Sequence, residues 1–360
     1  MENLKKTYWV YPTRACNLNC TYCYQQDKKG FDPDKGSSDS SLFMDKETVE
    51  QTADFIIRDE SQYQKHLQFF GGEPLLAWDT IKFFVARLGS MASFSITTNG
   101  TLLNRERLSF LKANGFGFAL SIDGPPGVTR KTRPGSEKTP LDLIAEFYPN
   151  AQIIITLSPQ NIEDGFRSTS WFMEKGFMNI AHNLALEKPW PLTAIRTHHR
   201  IFTQLADMYI EKKGEAGFMF VSFAQKAVRN SNFTQTRNIC GSNPCLLAID
   251  INGDIYPCQD MVTCDREKKY RLGNVRDEYE KPRSLPLSLM KFPERDSCFK
   301  CWFFHQCVGG CGPKNLLVSG DRFQPNMNGC ELYARQVSEG MRALLNTGRL
   351  ALFREKRIER

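Results

Sequence analysis

Residues 7–24 read "TYWVYPTRACNLNCTYCY", a run of β-branched and aromatic residues from Thr7 to Pro12 that passes at once into a polar loop carrying Cys16, Cys20 and Cys23. The run predicts a strand. The loop leaving its carboxyl end sets three thiols at spacings of four and three residues. Three thiolates on one loop suit three irons of a cubane cluster, which leaves the fourth iron open to a small molecule. Zinc is the rival metal, but a closed structural zinc site wants four ligands, and no histidine lies near enough in sequence to be the obvious fourth. Three buried structural cysteines are the plain alternative, and they would have to explain their grouping on an asparagine-rich polar loop.

Outward from this stretch, short β-rich runs alternate with longer amphipathic ones, as repeated βα units do. Further strands are expected at 66–70 ("HLQFF"), 94–98 ("FSITT"), 117–122 ("GFALSI"), 152–157 ("QIIITL") and 179–184 ("NIAHNL"). Between them, "DKETVEQTADFIIRDE" opens with Asp45 as an N-cap and puts Val49, Ala53, Ile56 and Ile57 on one helix face. The patterns "WDTIKFFVARLG" and "RERLSFLKANG" each stop at a glycine. Six strands with intervening helices predict an α/β chain built as a partial (β/α)6 TIM-like barrel, with its chemistry at the C-terminal ends of the strands. A doubly wound open sheet is the second choice.

The chain has 360 residues, enough for one large domain or for a medium and a small one. Lys and Arg outnumber Asp and Glu, 47 to 40, and the surplus is spread along the chain apart from the tail "LFREKRIER". Such a charge is read as solvated surface, with no nucleic-acid partner expected. No run of eighteen apolar residues occurs, and "MENLKKTYWVYP" lacks the features of a signal peptide, so the expected location is cytoplasmic, away from membranes. Twelve cysteines in such a compartment point to metal or redox chemistry rather than to a disulfide framework. Three lie within the first 23 residues, and the other nine lie between Cys240 and Cys330.

Three motifs follow successive expected strands: "FFGGEP" at 69–74, "ITTNG" at 96–100 and "LSIDGP" at 120–125. Together with the cysteine loop they resemble the radical SAM superfamily, whose identifying motif has an aromatic residue just before the third cysteine, here Tyr22. The resemblance implies that Cys16, Cys20 and Cys23 hold a four-iron cluster whose open iron is chelated by S-adenosylmethionine. One electron then cleaves the sulfonium, and the 5'-deoxyadenosyl radical takes a hydrogen atom from the substrate. It also implies cofactor contacts from Tyr22, Gly71, Gly72, Glu73, Pro74, Thr98, Asn99, Ser121 and Asp123. The methionyl carboxylate asks for a cation, for which Arg133 is preferred and Arg130 is the neighbour.

Past residue 220 the pattern changes to short strands punctuated by Gly, Pro and Cys, and "NGD" in "LLAIDINGDIYPC" reads as a hairpin turn. Residues 298–311 read "CFKCWFFHQCVGGC", and Gly253 to Cys258 gives G-x4-C. This resembles the SPASM domain, an auxiliary-cluster module of many radical SAM enzymes. It implies one cluster on Cys298, Cys301, Cys307 and Cys330, and another on Cys240, Cys258 and Cys311, with Cys245 as the fourth ligand. The expected inventory is three 4Fe-4S clusters, with a pair of zinc sites as the rival. Expected domains are 1–220 for the core, 221–335 for the auxiliary-cluster domain and 336–360 for a C-terminal helix or tail. Cys264 is left over, as a packing residue or a hydrogen-atom donor.

Such enzymes mostly modify peptides or proteins. The expected reaction is an oxidative crosslink, thioether or carbon–carbon, in a ribosomally made peptide. The layout also resembles the anaerobic sulfatase-maturating enzymes, which form formylglycine and carry an aspartate directly after the G-x4-C cysteine. Here that position is Gln259, and Asp260, one residue on, is the candidate base. The position before GGEP, often glutamine in that group, is Phe70. Expected partners are the peptide, an external electron donor such as flavodoxin or ferredoxin, and a separate leader-binding protein or an exposed sheet edge. A zinc-binding nucleic-acid module is the reading from another class.

Overall fold

The strand that carries the cysteine loop is paired along both of its edges. A computed structural model describes residues 5–25, 39–230, 245–277, 298, 300–301 and 310–349. Among these residues the strands are β1 (Lys5–Thr13), β2 (Gln64–Gly71), β3 (Ala92–Thr98), β4 (Gly117–Ser121), β5 (Gln152–Leu157), β6 (Asn179–Leu184), β7 (Gly217–Phe218), β8 (Leu246–Ile249), β9 (Asp254–Tyr256) and β10 (Gly273–Asn274). The helices are α1 (Lys46–Ile57), α2 (Trp78–Leu88), α3 (Arg105–Ala113), α4 (Pro126–Thr132), α5 (Leu141–Phe147), α6 (Gly165–Glu174), α7 (Leu192–Glu211), α8 (Met219–Asn230), α9 (Met261–Cys264), α10 (Gly312–Ser319) and α11 (Met327–Asn346). No helix among the described residues is long and apolar enough to cross a membrane. The chain is α/β with a mainly parallel sheet, and all six strands expected from the sequence are present.

Two units emerge. The first comprises Met1–Ser121, Arg133–Ala151 and Gly241–Lys291, and the second comprises Ile122–Thr132, Gln152–Cys240 and Phe292–Arg360. In the first, the strand order is β10-β9-β8-β1-β2-β3-β4. Tyr8 of β1 lies opposite Leu67 of β2 and Leu247 of β8, and all three strands run parallel. The expected hairpin joins β8 to β9, with Ile249 opposite Ile255 and Asp250–Gly253 closing the turn. Strands paired on both edges and covered by helices read as continuous apolar runs. "TYWVYP" does so because Tyr8 and Val10 are fully buried on one face while Trp9 and Tyr11 occupy the other.

The face of β2 and β3 that packs on helices is aromatic. Phe69, Phe84, Phe94 and Phe116 meet with ring centroids 5.4 to 6.4 Å apart. Asp45 caps α1 as expected, its Oδ1 accepting from the Thr48 N–H at 2.7 Å. Val49, Ala53 and Ile56 are buried, and Phe55 rather than Ile57 completes the buried face, since the longer ring reaches Tyr8 at 6.4 Å.

In the second unit β5 and β6 pair in parallel from Gln152↔Asn179 to Leu157↔Leu184, and β7 adds to β6. Helices α7, α8 and α11 pack there. Gly340 of α11 permits a close approach, because a Cβ at that position would lie 2.7 Å from the Phe220 carbonyl oxygen of α8. His182 is buried among Phe202, Phe218 and Phe220, where Thr169 Oγ1 lies 2.9 Å from its Nε2. Burial pushes this imidazole down to about 3, so it is neutral at physiological pH.

Candidate active site at the three-cysteine loop

Strand β1 ends where the cysteines begin, and the loop is held by contacts from four directions within the first unit. Arg14 forks onto Asp250 of the β8–β9 turn, its Nε donating to Oδ1 at 2.9 Å and a terminal nitrogen donating to Oδ2. The Gly72 and Glu73 N–H groups donate to the Thr13 and Ala15 carbonyls at 3.0 and 2.7 Å. Asn99 Nδ2 donates to Asn17 Oδ1 at 3.0 Å, and Asn17 Nδ2 donates to Thr101 Oγ1 at 2.8 Å. Tyr22 is buried, with the buried Arg133 guanidinium 5.5 Å from its ring centroid. Cys16 is buried, Cys20 and Cys23 are half-buried, and the Cys23 N–H donates to the Cys20 carbonyl at 3.1 Å.

The GGEP turn shows why its residues are so small. Gly71 has φ +122°, and a Cβ there would lie 2.3 Å from the Thr13 carbonyl oxygen. At Gly72 the Cβ would lie 1.9 Å from the Ala15 carbonyl oxygen. Pro74 opens a short 3₁₀ helix for which Glu73 is the cap. The Glu73 carboxylate, fully buried, accepts from Leu75 N at 3.1 Å and Thr98 Oγ1 at 2.7 Å through Oε1, and from Asn99 N at 2.8 Å through Oε2. Glu73, Thr98 and Asn99 therefore meet, joining the ends of β2 and β3 beneath the loop.

Ser121 closes β4 and is half-buried. Asp123, buried in the second unit, accepts from Thr132 Oγ1 at 2.7 Å and from Thr156 N at 3.1 Å, one bond to each oxygen. Arg130 is exposed on α4. Cys245 and Cys258, both half-buried, lie in the first unit; Cys298, Cys311 and Cys330, half-buried, and Cys301, exposed, lie in the second. Cys240 and Cys307 fall outside the described residues. Cys264 is buried at the end of α9. Among the described residues no three His, Cys, Asp or Glu side chains converge on one metal ion, whereas a cubane takes one thiolate per iron.

Residues that motif reading passes over join Asp260 to the loop. The Tyr24 hydroxyl, next to Cys23, donates to Asp260 and is also bonded to Gln25. Gln25 Nε2 donates to the Gly71 carbonyl at 2.8 Å, while its buried Oε1 has no partner among the described residues. Tyr11 donates to the Gln259 carbonyl at 2.7 Å. Burial, reinforced by the negative charge of Asp260, raises the phenols of Tyr11 and Tyr24 well above their usual value, so both remain donors. The available signal was position: Tyr24 and Gln25 directly follow the third cysteine.

A model of the radical SAM superfamily matches residues 10–164, the span from β1 through the loop and all three motifs. Residues 10–164 belong to the radical SAM superfamily. The radical SAM chain is 24% identical to a cysteine-type anaerobic sulfatase-maturating enzyme of Clostridium perfringens, over 82% of this chain and 86% of that protein. It is 29% identical to the radical SAM cyclopropyl synthase TigE of Paramaledivibacter caminithermalis, over 91% of this chain and 72% of that protein. In fold it is similar to anSMEcpe with bound AdoMet and a peptide, with a TM-score of 0.77 at 19% identity, covering 96% of this chain and 99% of the other. It is likewise similar to Streptococcus suis SuiB bound to the precursor peptide SuiA, with a TM-score of 0.65 at 14% identity, covering 91% and 76%. The protein is a radical SAM enzyme related to sulfatase maturases and peptide modifiers, and its family implies a four-iron cluster and S-adenosylmethionine.

Proposed function

We propose that this radical SAM enzyme oxidises a peptide or protein by two electrons, forming a thioether or carbon–carbon crosslink in a ribosomally made peptide. The observation that carries this reading is the Tyr24–Asp260 hydrogen bond, which ties a carboxylate to the loop of Cys16, Cys20 and Cys23. When bound, the cluster and S-adenosylmethionine supply a carbon radical that removes one hydrogen atom from the substrate.

A two-electron oxidation must also release a proton and an electron. In a thioether crosslink, the carbon–hydrogen and sulfur–hydrogen bonds break and a carbon–sulfur bond forms. Asp260 takes the thiol proton, and Tyr24 orients the carboxylate by donating to it. Cys258, two residues before Asp260, belongs to the set assigned to an auxiliary cluster with Cys240, Cys245 and Cys311, so the departing electron has a nearby destination. Cys298, Cys301, Cys307 and Cys330 would hold the third cluster, and flavodoxin or ferredoxin would supply the electron that starts the cycle. The division at residues 220 and 335, the cytoplasmic setting and a separate leader-binding protein belong to the same proposal.

The residues fit the cofactor. Gln25 Oε1 is a buried acceptor beside the Gly71 carbonyl and suits the ammonium of the methionyl group. Arg133, buried against Tyr22, suits its carboxylate. Glu73, Thr98 and Asn99 act mainly on one another and hold the turn that presents these groups. Ser121 and Asp123, at and just past the end of β4 in "LSIDGP", are the candidates for the ribose hydroxyls.

Formylglycine formation is the second reading, favoured by the same Asp260 contact, because oxidising serine or cysteine also needs a base. Anaerobic coexpression with the short reading frames encoded beside this one separates the two by mass spectrometry. A product that has lost two hydrogens and does not react with a hydrazide is a crosslink, a thioether where an alkylatable thiol is lost as well and a carbon–carbon bond where it is kept; a product that reacts with a hydrazide is an aldehyde. Asp260→Asn should still release 5'-deoxyadenosine while product falls at least about 100-fold, within the usual range for losing a general base. Full product formation by Asp260→Asn would refute the assigned base.

A further inference from the structure

Where α3 and α5 end, at the amino-terminal end of β4, the first unit holds a cavity of about 250 Å³. Phe116 and Phe118, both buried, and the half-buried Tyr148 line it. Lys112, Gly117 and Asn150 also line it and are exposed, so the cavity opens to solvent. Phe118 and Tyr148 stack with ring centroids 4.7 Å apart and make one aromatic wall. The Tyr148 hydroxyl is buried, and burial raises this phenol, so the residue presents a neutral ring.

The polar groups around the opening are unequal in sign. Helix ends disfavour anions through their free carbonyls, and here those carbonyls are occupied. Phe110, Leu111 and Lys112 accept from the N–H groups of Asn114, Phe116 and Gly115, and Tyr148 accepts from that of Ala151. The Phe147 carbonyl accepts from the Lys112 ammonium at 2.8 Å. An ammonium has three donors, and this one forms no ion pair among the described residues. It lies 5.3 Å from the Tyr148 ring centroid. No carboxylate, thiol or imidazole lines the cavity. What it offers is therefore a cation beside an aromatic wall, with no opposing negative charge.

We propose that this cavity binds a small aromatic carboxylic acid, its ring against Phe116, Phe118 and Tyr148 and its carboxylate on the Lys112 ammonium. At interior packing density the volume holds about ten non-hydrogen atoms, the size of a phenyl ring carrying a two-carbon acid. Burial of the ring supplies the affinity, and the charge-assisted hydrogen bond fixes which end points outward. The site is separate from the cysteine loop, since Gly117 begins β4 and Ser121 ends it, about 13 Å further along the strand. Binding there is independent of the peptide reaction proposed above.

Equilibrium dialysis of anaerobic holoenzyme, saturated with S-adenosylmethionine, against radiolabelled phenylacetate measures the site. One phenylacetate should bind per chain with a dissociation constant of about 1 mM or tighter, a modest demand on about ten atoms. Phenylacetamide, equal in size but uncharged, should bind about tenfold more weakly, as should phenylacetate to Lys112→Met. Asn150→Trp sets a ring at the exposed opening and should abolish binding. Iron content reports whether each variant has folded, and Asn150→Trp carries the test if Lys112→Met does not. N-acetylphenylalanine has the same ring and acid behind a peptide bond, exceeds the volume, and should bind at least about tenfold more weakly than phenylacetate. The site is overturned by weaker or unsaturable phenylacetate binding, by binding seen only without S-adenosylmethionine, or by wild-type affinity in Asn150→Trp. Equal affinity for phenylacetamide, or in Lys112→Met, overturns the carboxylate contact and with it the ligand class. Tighter binding of N-acetylphenylalanine makes the occupant a chain terminus and overturns the free acid.

Discussion

Glu73 offers the sharpest test of how the site is held. In Glu73→Gln the side chain keeps its shape but gains an NH2 group where an oxygen stood. Thr98 can turn its hydroxyl to adapt, yet one backbone N–H, that of Leu75 or of Asn99, then faces the new NH2 whichever way the amide is placed. A buried N–H left unmet costs roughly 1–3 kcal/mol, and each hydrogen bond that loses its charged acceptor weakens by about 1 kcal/mol. Relief of a buried charge offsets part of this, leaving a net loss of about 2–4 kcal/mol. At roughly 2–4 °C per kcal/mol, the unfolding midpoint should fall by about 5–15 °C. Circular dichroism of anaerobic, iron-loaded wild type and variant, both without S-adenosylmethionine, measures it. A midpoint within about 1 °C of wild type, with cofactor affinity lost, would show Glu73 to be a ligand and would refute its role as a clamp.

Tyr24→Phe should slow product formation about tenfold while 5'-deoxyadenosine release persists, because one orienting hydrogen bond to Asp260 is removed; quantitative mass spectrometry of both products decides it, and an unchanged rate removes Tyr24 from the site. Cys16→Ala should lower bound iron by about four per chain and abolish cofactor cleavage, whereas Cys301→Ala should remove a different four and leave cleavage in place. Metal analysis and chromatography of 5'-deoxyadenosine report both, and equal loss of cleavage in the two variants would contradict separate cluster roles. His182 titrates near 3 folded and about 6.5 unfolded. Its neutral form therefore favours the fold fully above pH ~6.5, and this contribution declines as pH falls toward 3. Between pH 6.5 and 4.5 the loss amounts to about 2–3 kcal/mol; urea unfolding across that range should show a shallower pH dependence in His182→Phe, and identical slopes would count against the argument.

Periodicity located the strands well because alternation depends on neighbours in the chain. "QIIITL" and "NIAHNL" pair over their whole expected lengths, and Asp45 caps α1 through an oxygen only three residues from its donor. Partners distant in sequence were less legible. "LLAI" could be read as a strand, but nothing local says that it joins β1, nor that Arg14 in the quoted loop meets Asp250. Glu73 illustrates a different limit. A motif marks which residue matters, but not that Leu75 N, Thr98 Oγ1 and Asn99 N all donate to its carboxylate. Gln25 escaped notice because an unanswered polar atom is visible only once its surroundings are assembled.

The pairing of β8 with β1 also has a temporal side. At 5–20 residues per second, roughly ten to fifty seconds of translation separate the emergence of β1 from that of residues 246–249. Throughout that interval the nascent chain presents an open strand edge and an Arg14 that has not yet found Asp250. Closure of that edge, and the Arg14–Asp250 fork that braces the cysteine loop, therefore wait until most of the polypeptide has left the ribosome.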